Sequence, residues 1–106
     1  MKHLKFQEQL VKLILEGKKH STWRINDEKN IIVGDELSLQ HKDGREFAKA
    51  QVTWTKETTF GNLTKEDKEG HEQYDSEKEM YAAYSQYYNI QVTPQTRVKI
   101  IKFRLL

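Results

Sequence analysis

Residues 17–24 carry the sequence GKKHSTWR, and the rest of the chain is organised around this stretch. An amphipathic helical pattern runs into it, and a strand-like segment runs out of it. Gly17 falls where the helix should end, because glycine tolerates the left-handed backbone that closes many helices. Side chains alternate faces in an extended segment, so Thr22 and Arg24 should point one way and Trp23 the other.

Lys19 can join Thr22 and Arg24 only if the turn after the helix re-aims it. An ammonium, a hydroxyl and a guanidinium would then converge, and this set suits a ligand rich in phosphate or carbonyl oxygens. The same residues also fit a plain helix C-terminus, where basic side chains complement the helix dipole. The residues alone leave both interpretations open.

Length and composition exclude several classes of protein. The chain has 106 residues, and this length indicates one domain spanning residues 1–106. Its net charge is +2. It has no cysteine, and its four histidines lack metal-ligand spacing, so we expect neither a metal nor a cofactor. No apolar run approaches the roughly 18 residues that cross a bilayer. No signal peptide is recognisable, and we expect a cytoplasmic protein without membrane association.

Helical patterns flank the centre of the chain. The first is predicted at about residues 7–16, where apolar side chains recur at helical spacing: Phe6, Leu10, Leu13 and Ile14. Two more are predicted to begin at N-caps Thr64 and Ser76. The second of these carries Tyr84 and Tyr87, whose spacing favours core packing, although a tyrosine cluster could also stack on bases.

A β-hairpin is predicted around Asp43-Gly44, which favours a type I′ turn. The register that follows pairs these residues on one buried face: Leu39 with Ala48 and Leu37 with Ala50. Val52 and Trp54 should continue that face. With a helix and a strand before the hairpin and two helices and a long strand after it, the order predicts a small, closed or nearly closed, mostly antiparallel barrel with flanking helices.

The terminal segment, residues 96–105, is rich in basic residues, and its apolar alternation changes phase. A β-bulge near Ile100 and Ile101 would restore one apolar and one basic face, whereas two short strands in different pairings are the alternative. Residues 57–95 are mainly acidic, while both ends of the chain are basic. A fold that brings the ends together would therefore create one basic face.

The pattern Gly17-x-Lys19-x-x-Thr22-x-Arg24 resembles the G-x-K-x-x-T-x-R signature of ASCH domains, which are related to PUA domains. The likeness covers the whole chain, from the leading helix through the signature and the helical insert to the terminal strand. It implies an α+β, PUA-like fold: a small, mostly antiparallel β-barrel with flanking helices. It also implies a cleft beside the signature that suits RNA or a nucleoside.

One small branch of that family hydrolyses N4-acetylcytidine to cytidine and acetate. The resemblance to this branch implies Thr22 as nucleophile, Lys19 as base and Glu72 as the supporting carboxylate, with Glu69 as the alternative to Glu72. The residues expected to bind ligand are Lys18, Arg24, Arg97 and Lys99. Because the signature is shared more widely than the hydrolysis, the leading expectation is an ASCH domain that binds RNA or a nucleoside. The alternatives are the amidohydrolase and a protein-interaction module.

Overall fold

The computed structural model describes residues 1–106 and shows an α+β architecture. The five strands are β1 (Lys2–Phe6), β2 (Ser21–Arg24), β3 (Glu36–His41), β4 (Glu46–Thr59) and β5 (Arg97–Leu105). They form one curled half-barrel sheet in the order β1-β3-β4-β5-β2. Only the β1–β3 pair is parallel, so the expected α+β class with a mostly antiparallel sheet is confirmed, although β1 and β2 remain open edges.

The helices are α1 (Glu8–Leu15), α2 (Lys65–Lys68) and α3 (Glu77–Tyr88), with a 3₁₀ turn at Phe60–Asn62. The predicted N-caps are confirmed, because the Thr64 and Ser76 hydroxyls accept backbone bonds at the starts of α2 and α3. None of these helices has the length and apolar character needed to span a membrane.

The N-terminal strand β1 is absent from the sequence prediction. Phe6 was assigned to the apolar stripe of the first helix, but it ends β1 and Gln7 caps α1. Strand β1 pairs in parallel with β3, placing Leu4 opposite Leu39. A five-residue strand whose partner lies more than thirty positions away carries little local signal.

The β3–β4 hairpin has the predicted register but a different turn. Leu39 lies opposite Ala48, and the pairing continues to Leu37 and Ala50 as expected. The turn is wider than the predicted type I′ turn: His41 N–H donates to Arg45 O, and Gly44 adopts φ +93°. This is a three-residue loop with glycine in the left-handed position. One extra residue of β4, Phe47, then shifts the pairing between Gln40 and Leu39, so that the predicted register holds from Leu39 onwards.

Trp54 was predicted to be buried beside Val52, and this prediction is wrong. Val52 pairs with Phe103 but Trp54 pairs with Lys102, so one residue of β4 is left over between them. That irregularity shifts the alternation by one position and turns Trp54 to the other face, where it is 37% exposed. The ammonium of Lys102 lies 5.0 Å from the centre of the indole ring.

The apolar alternation of β5 changes phase at Ile100 and Ile101, but the predicted bulge is absent there. The strand runs unbroken, and both isoleucines are fully buried because each face of the sheet carries its own core. Ile101 and Phe103 belong to the core beneath α1, and Val98 and Ile100 to the core beneath α3. The basic residues of this strand therefore point to different faces, and the single basic face predicted for it does not form.

Candidate functional site

The turn after α1 positions Lys19. Gly17, at φ +77°, donates its N–H to Ile14 O at 3.1 Å, and Lys18 donates to Leu13 O at 2.9 Å. These two bonds form a Schellman motif, which confirms Gly17 as the residue that ends the helix. Lys19 N–H also reaches Leu13 O at 3.2 Å. The chain thus turns sharply enough for the Lys19 side chain to be buried beside β2.

The backbone of Gly70 connects the segment between β4 and β5 to the start of β2 by hydrogen bonds. Its carbonyl accepts bonds from the backbone N–H groups of His20 at 2.9 Å and Ser21 at 3.1 Å. Gly70 adopts φ +81°, and a Cβ atom there would lie 2.3 Å from Cε1 of His20. Glycine suits this left-handed conformation, and any larger residue would have to displace the exposed ring of His20. This junction sets His71 and Glu72 beside the signature.

Lys19, which is buried, forms an ion pair with Glu72, which is partly buried. Lys19 is 2% exposed, and its Nζ donates to Glu72 Oε1 at 2.5 Å and to Ser21 O at 2.7 Å. The structure therefore brings Glu72, and not the alternative Glu69, to the signature lysine. Glu69 is exposed and lines a second cavity of about 770 Å³ beside α2, which Trp23 and Glu72 also border.

Burial and charge act against each other in this pair. Burial lowers the pKa of Lys19, attraction to Glu72 opposes this, and repulsion from Arg24 adds to the lowering. Burial alone would raise the pKa of Glu72, but attraction to the charge of Lys19 and the hydrogen bond from Lys19 lower it below its usual range. The carboxylate is therefore ionised at neutral pH, while the protonated form of Lys19 is disfavoured by its surroundings.

His71 supports Glu72, a role that the sequence analysis missed. Its ring stacks on Trp23 with centroids 3.7 Å apart. Nδ1 lies 2.8 Å from the Glu72 backbone oxygen, and because a carbonyl only accepts, Nδ1 carries the proton. Nε2 accepts from the Tyr84 hydroxyl at 2.9 Å. Burial, followed by repulsion from Lys19, lowers the pKa of His71 to about 3, so the ring is neutral.

Thr22 and Arg24 lie on the opposite face of β2 from Trp23, as predicted. Thr22 pairs with Ile101 of the α1-side core, whereas Trp23 pairs with Ile100 of the α3-side core. The Thr22 hydroxyl makes no hydrogen bond, although the residue is only 4% exposed. Arg24 donates one bond, to the carbonyl of Lys5 at 3.3 Å, where the open edges of β1 and β2 approach each other.

A cleft of about 640 Å³ lies between these sheet edges and α3, and it holds Lys19, Thr22, Arg24 and Glu72 together. Its other lining residues come from β1, α1, β2, the β3–β4 turn and α3: Lys5, Phe6, Gln7, Leu10, Trp23, Lys42, Tyr84, Gln86, Tyr87 and Tyr88. Tyr87 was expected in the core, but it is 48% exposed at the cleft. Its ring is therefore available to a ligand.

Three residues predicted to bind ligand lie outside this cleft. Lys18 is exposed, and its nearest charged partner is Glu16 at 3.9 Å. Lys99 is mostly buried and donates to Asp27 Oδ2 at 2.8 Å, which ties the loop after β2 to β5. Arg97 is exposed at the start of β5. Of the four predicted ligand-binding residues, only Arg24 lines the cleft.

Comparison with known proteins gives structural matches only. No protein-family model and no curated protein matches the sequence. The crystal structure of the hypothetical protein PH0355 matches with a TM-score of 0.76 at 28% identity, covering 100% of both chains.

Two further structures share the fold at lower identity. Protein EF3133 from Enterococcus faecalis V583 has a TM-score of 0.74 at 13% identity, over 92% of this chain and 67% of that chain. An ASCH domain from Lactobacillus crispatus JV V101 has a TM-score of 0.67 at 15% identity, over 89% of this chain and 68% of that chain. The chain therefore has an ASCH-like fold.

Proposed function

We propose that this chain binds RNA or a nucleoside in the cleft that contains Lys19, Thr22, Arg24 and Glu72. The observation that carries the proposal is the Lys19–Glu72 ion pair, which lines the same cleft as a threonine hydroxyl without a hydrogen bond. Polar groups that converge in a concave site favour a ligand with matching donors and acceptors. The volume of about 640 Å³ is in the range of small-molecule sites.

The unused hydrogen-bonding capacity matches the edge of a nucleobase. A lysine ammonium has three donors, and Lys19 spends two of them on Glu72 and Ser21, which leaves one for a carbonyl oxygen. The Oε2 atom of Glu72 makes no hydrogen bond and can accept from an exocyclic amino group. Cytosine offers a carbonyl oxygen and such an amino group. The exposed ring of Tyr87 offers a surface on which a base can stack.

The position of Trp23 favours a ligand site over a protein-interaction module. A bulky indole in the signature could have filled the cleft, and that would have favoured the module. Instead, Trp23 is 3% exposed and packs into the core under α3, stacked on His71 and Tyr84. The cleft therefore retains its volume beside Lys19 and Thr22.

The second candidate function is hydrolysis of N4-acetylcytidine, and it is favoured by the free hydroxyl of Thr22 near a lysine whose pKa is lowered. In this reaction Thr22 Oγ1 would attack the acetyl carbonyl carbon while neutral Lys19 takes the hydroxyl proton. Lys19 would then protonate the departing N4 amine of cytidine. Water would release acetate from Thr22 and restore the hydroxyl. Glu72 would orient Lys19.

Two measurements on one protein test both candidates. A Trp54→Phe variant leaves Trp23, beside the cleft, as the only tryptophan, so its fluorescence reports on ligand binding. Titration with cytidine, N4-acetylcytidine and a short single-stranded RNA should change this signal saturably. Chromatography of the N4-acetylcytidine sample then shows whether cytidine forms. A protein that binds none of the three and releases no cytidine would contradict both candidates and favour the interaction module.

A further inference from the structure

We infer that the ligand of this cleft carries a phosphate beside its base, so that the cleft takes a nucleotide unit in preference to a free nucleoside. This inference rests on the proposed function and narrows its substrate class. The phosphate belongs either to a free mononucleotide or to an RNA strand, and a comparison of monophosphates with an oligonucleotide separates the two sources.

The first argument is the balance of charge in the cleft. Its lining has four basic side chains and a single carboxylate: Lys5, Lys19, Arg24, Lys42 and Glu72. Glu72 is already paired with Lys19. Lys5, Arg24 and Lys42 form no salt bridge, so three positive charges in one concave site lack a counter-charge. A cleft lined by one sign of charge focuses its field on an incoming ion of opposite sign.

The second argument is the geometry of Arg24. Its guanidinium lies over the ring of Phe6, with 5.1 Å between Cζ and the ring centroid, and this contact holds the group at the cleft. Of its five N–H donors, one bonds to the Lys5 carbonyl, and the Nε donor is buried without any partner. A fixed guanidinium with unused donors matches the oxygens of a phosphate, which it can bind through two parallel bonds.

The third argument is the repulsion between Arg24 and Lys19, which line the cleft together. Burial lowers the pKa of Lys19, and the charge of Arg24 adds to this lowering. An anion bound beside both groups would relieve that repulsion.

The unpaired cations and the exposed aromatic ring lie on different sides of the cleft, so the phosphate and the base of one nucleotide could each contact its own side. The unpaired cations come from β1, β2 and the β3–β4 turn, which border the open side of the half-barrel. The exposed ring of Tyr87 comes from α3. A base stacked on the α3 side would leave its phosphate on the side of the sheet edges, near Arg24 and Lys42.

Isothermal titration calorimetry of the full chain tests the inference with cytidine, cytidine 5′-monophosphate, cytidine 3′-monophosphate and a short oligocytidylate. At least one monophosphate should bind roughly tenfold or more tightly than cytidine, because its contacts are charge-assisted. That advantage should shrink as salt is raised. If the oligonucleotide binds more tightly than either monophosphate, the phosphate belongs to a strand. Equal affinities indicate that a mononucleotide suffices.

Charge-matched variants assign the effect to the cleft. Arg24→Gln and Lys42→Gln should lower monophosphate affinity by a much larger factor than cytidine affinity, so that most of the monophosphate advantage is lost. Arg24→Lys, which keeps the charge but loses the planar fork, should retain part of it. Lys49→Gln removes an exposed charge outside the cleft and should change neither affinity.

Equal binding of cytidine and both monophosphates by the wild-type chain would overturn the phosphate inference and leave the proposed function intact. An advantage that survives both Arg24→Gln and Lys42→Gln would overturn it as well. Failure of every ligand to bind would instead overturn the proposed function and the inference with it.

Discussion

The Nζ atom of Lys19 lies 2.5 Å from Oε1 of Glu72, although the two residues are 53 positions apart in the chain. Replacing Glu72 by glutamine would keep the shape of the side chain and remove its charge, leaving the buried ammonium without a counter-charge. Glu72→Gln should therefore lower the free energy of unfolding by roughly 3 kcal/mol, the usual effect of breaking a buried ion pair. Urea denaturation at neutral pH measures this difference.

The matched control for this experiment is Glu69→Gln, which makes the same chemical change three residues earlier on an exposed side chain. Surface substitutions of this kind alter the unfolding free energy by about 0.5 kcal/mol or less. Equal effects of Glu69→Gln and Glu72→Gln would show that the Lys19–Glu72 pair does not contribute to stability.

Gly70→Ala should both destabilise the protein and weaken ligand binding. The new Cβ would add backbone strain at φ +81° and would displace the exposed ring of His20, and both changes disturb the junction that holds Glu72 beside Lys19. Gly34→Ala is the control, since Gly34 has φ +94° but nothing within 4 Å of the added atom. Gly34→Ala should cost about 1–2 kcal/mol of strain. Gly70→Ala should cost at least as much, and ligand affinity should fall only in that variant.

The buried, neutral His71 predicts a loss of stability in acid. Its pKa is lowered to about 3 in the fold, against 6.5 ordinarily, so the unfolded chain binds a proton that the folded chain does not between these values. His71 thus contributes its full stabilisation above pH 6.5, and this contribution falls as the pH decreases towards 3, by up to about 1.4 kcal/mol per pH unit.

Denaturation curves at several pH values between 7 and 3.5 test this dependence. In His71→Asn, which keeps a donor near the Nδ1 position, stability should fall less steeply with decreasing pH than in the wild type. His3→Asn makes the same change at an exposed histidine and should keep the wild-type slope. A slope that His71→Asn leaves unaltered would rule out a buried neutral imidazole.

Thr22→Val separates the two candidate functions. The hydroxyl has no hydrogen bond in the protein, so its loss should leave the unfolding free energy nearly unchanged. If the cleft only binds, affinity should drop by roughly 1 kcal/mol, the value of one hydrogen bond. If the protein hydrolyses N4-acetylcytidine, the variant should lose all turnover, because the nucleophile is gone.

Thr58→Val, on β4 away from the cleft, is the control for Thr22→Val in both assays. It should keep wild-type affinity and any wild-type turnover. If Thr22→Val still released cytidine at the wild-type rate, Thr22 would be excluded as the nucleophile.

Features governed by local sequence were predictable. Gly17 ends α1, and Ser76 and Thr64 cap their helices, because each of these features depends on only a few neighbouring residues. The alternation of Thr22 with Trp23 was predictable for the same reason. The order of the elements predicted a small, mostly antiparallel barrel with flanking helices, and the resemblance of residues 17–24 to the ASCH signature implied the ASCH-like fold.

Features governed by distant partners were not predictable. A single extra residue in β4 reverses the orientation of Trp54, and the sequence around it does not mark that position. Ile100 and Ile101 suggested a bulge because one-sided burial was assumed, whereas β5 is covered on both faces. The roles of Gly70 and His71 depend on contacts with β2 and α3, which a local pattern does not encode.

The most direct test of ligand binding in the cleft is a titration of ¹⁵N-labelled protein with cytidine 5′-monophosphate, followed by backbone amide chemical shifts. Saturable shifts should concentrate at Thr22, Arg24, Lys42 and Tyr87, which line the cleft on different elements. Amides around Trp54, which lies outside the cleft, should stay unchanged. A spectrum that does not change, or shifts confined to residues outside the cleft, would contradict a nucleotide site beside Lys19 and Glu72.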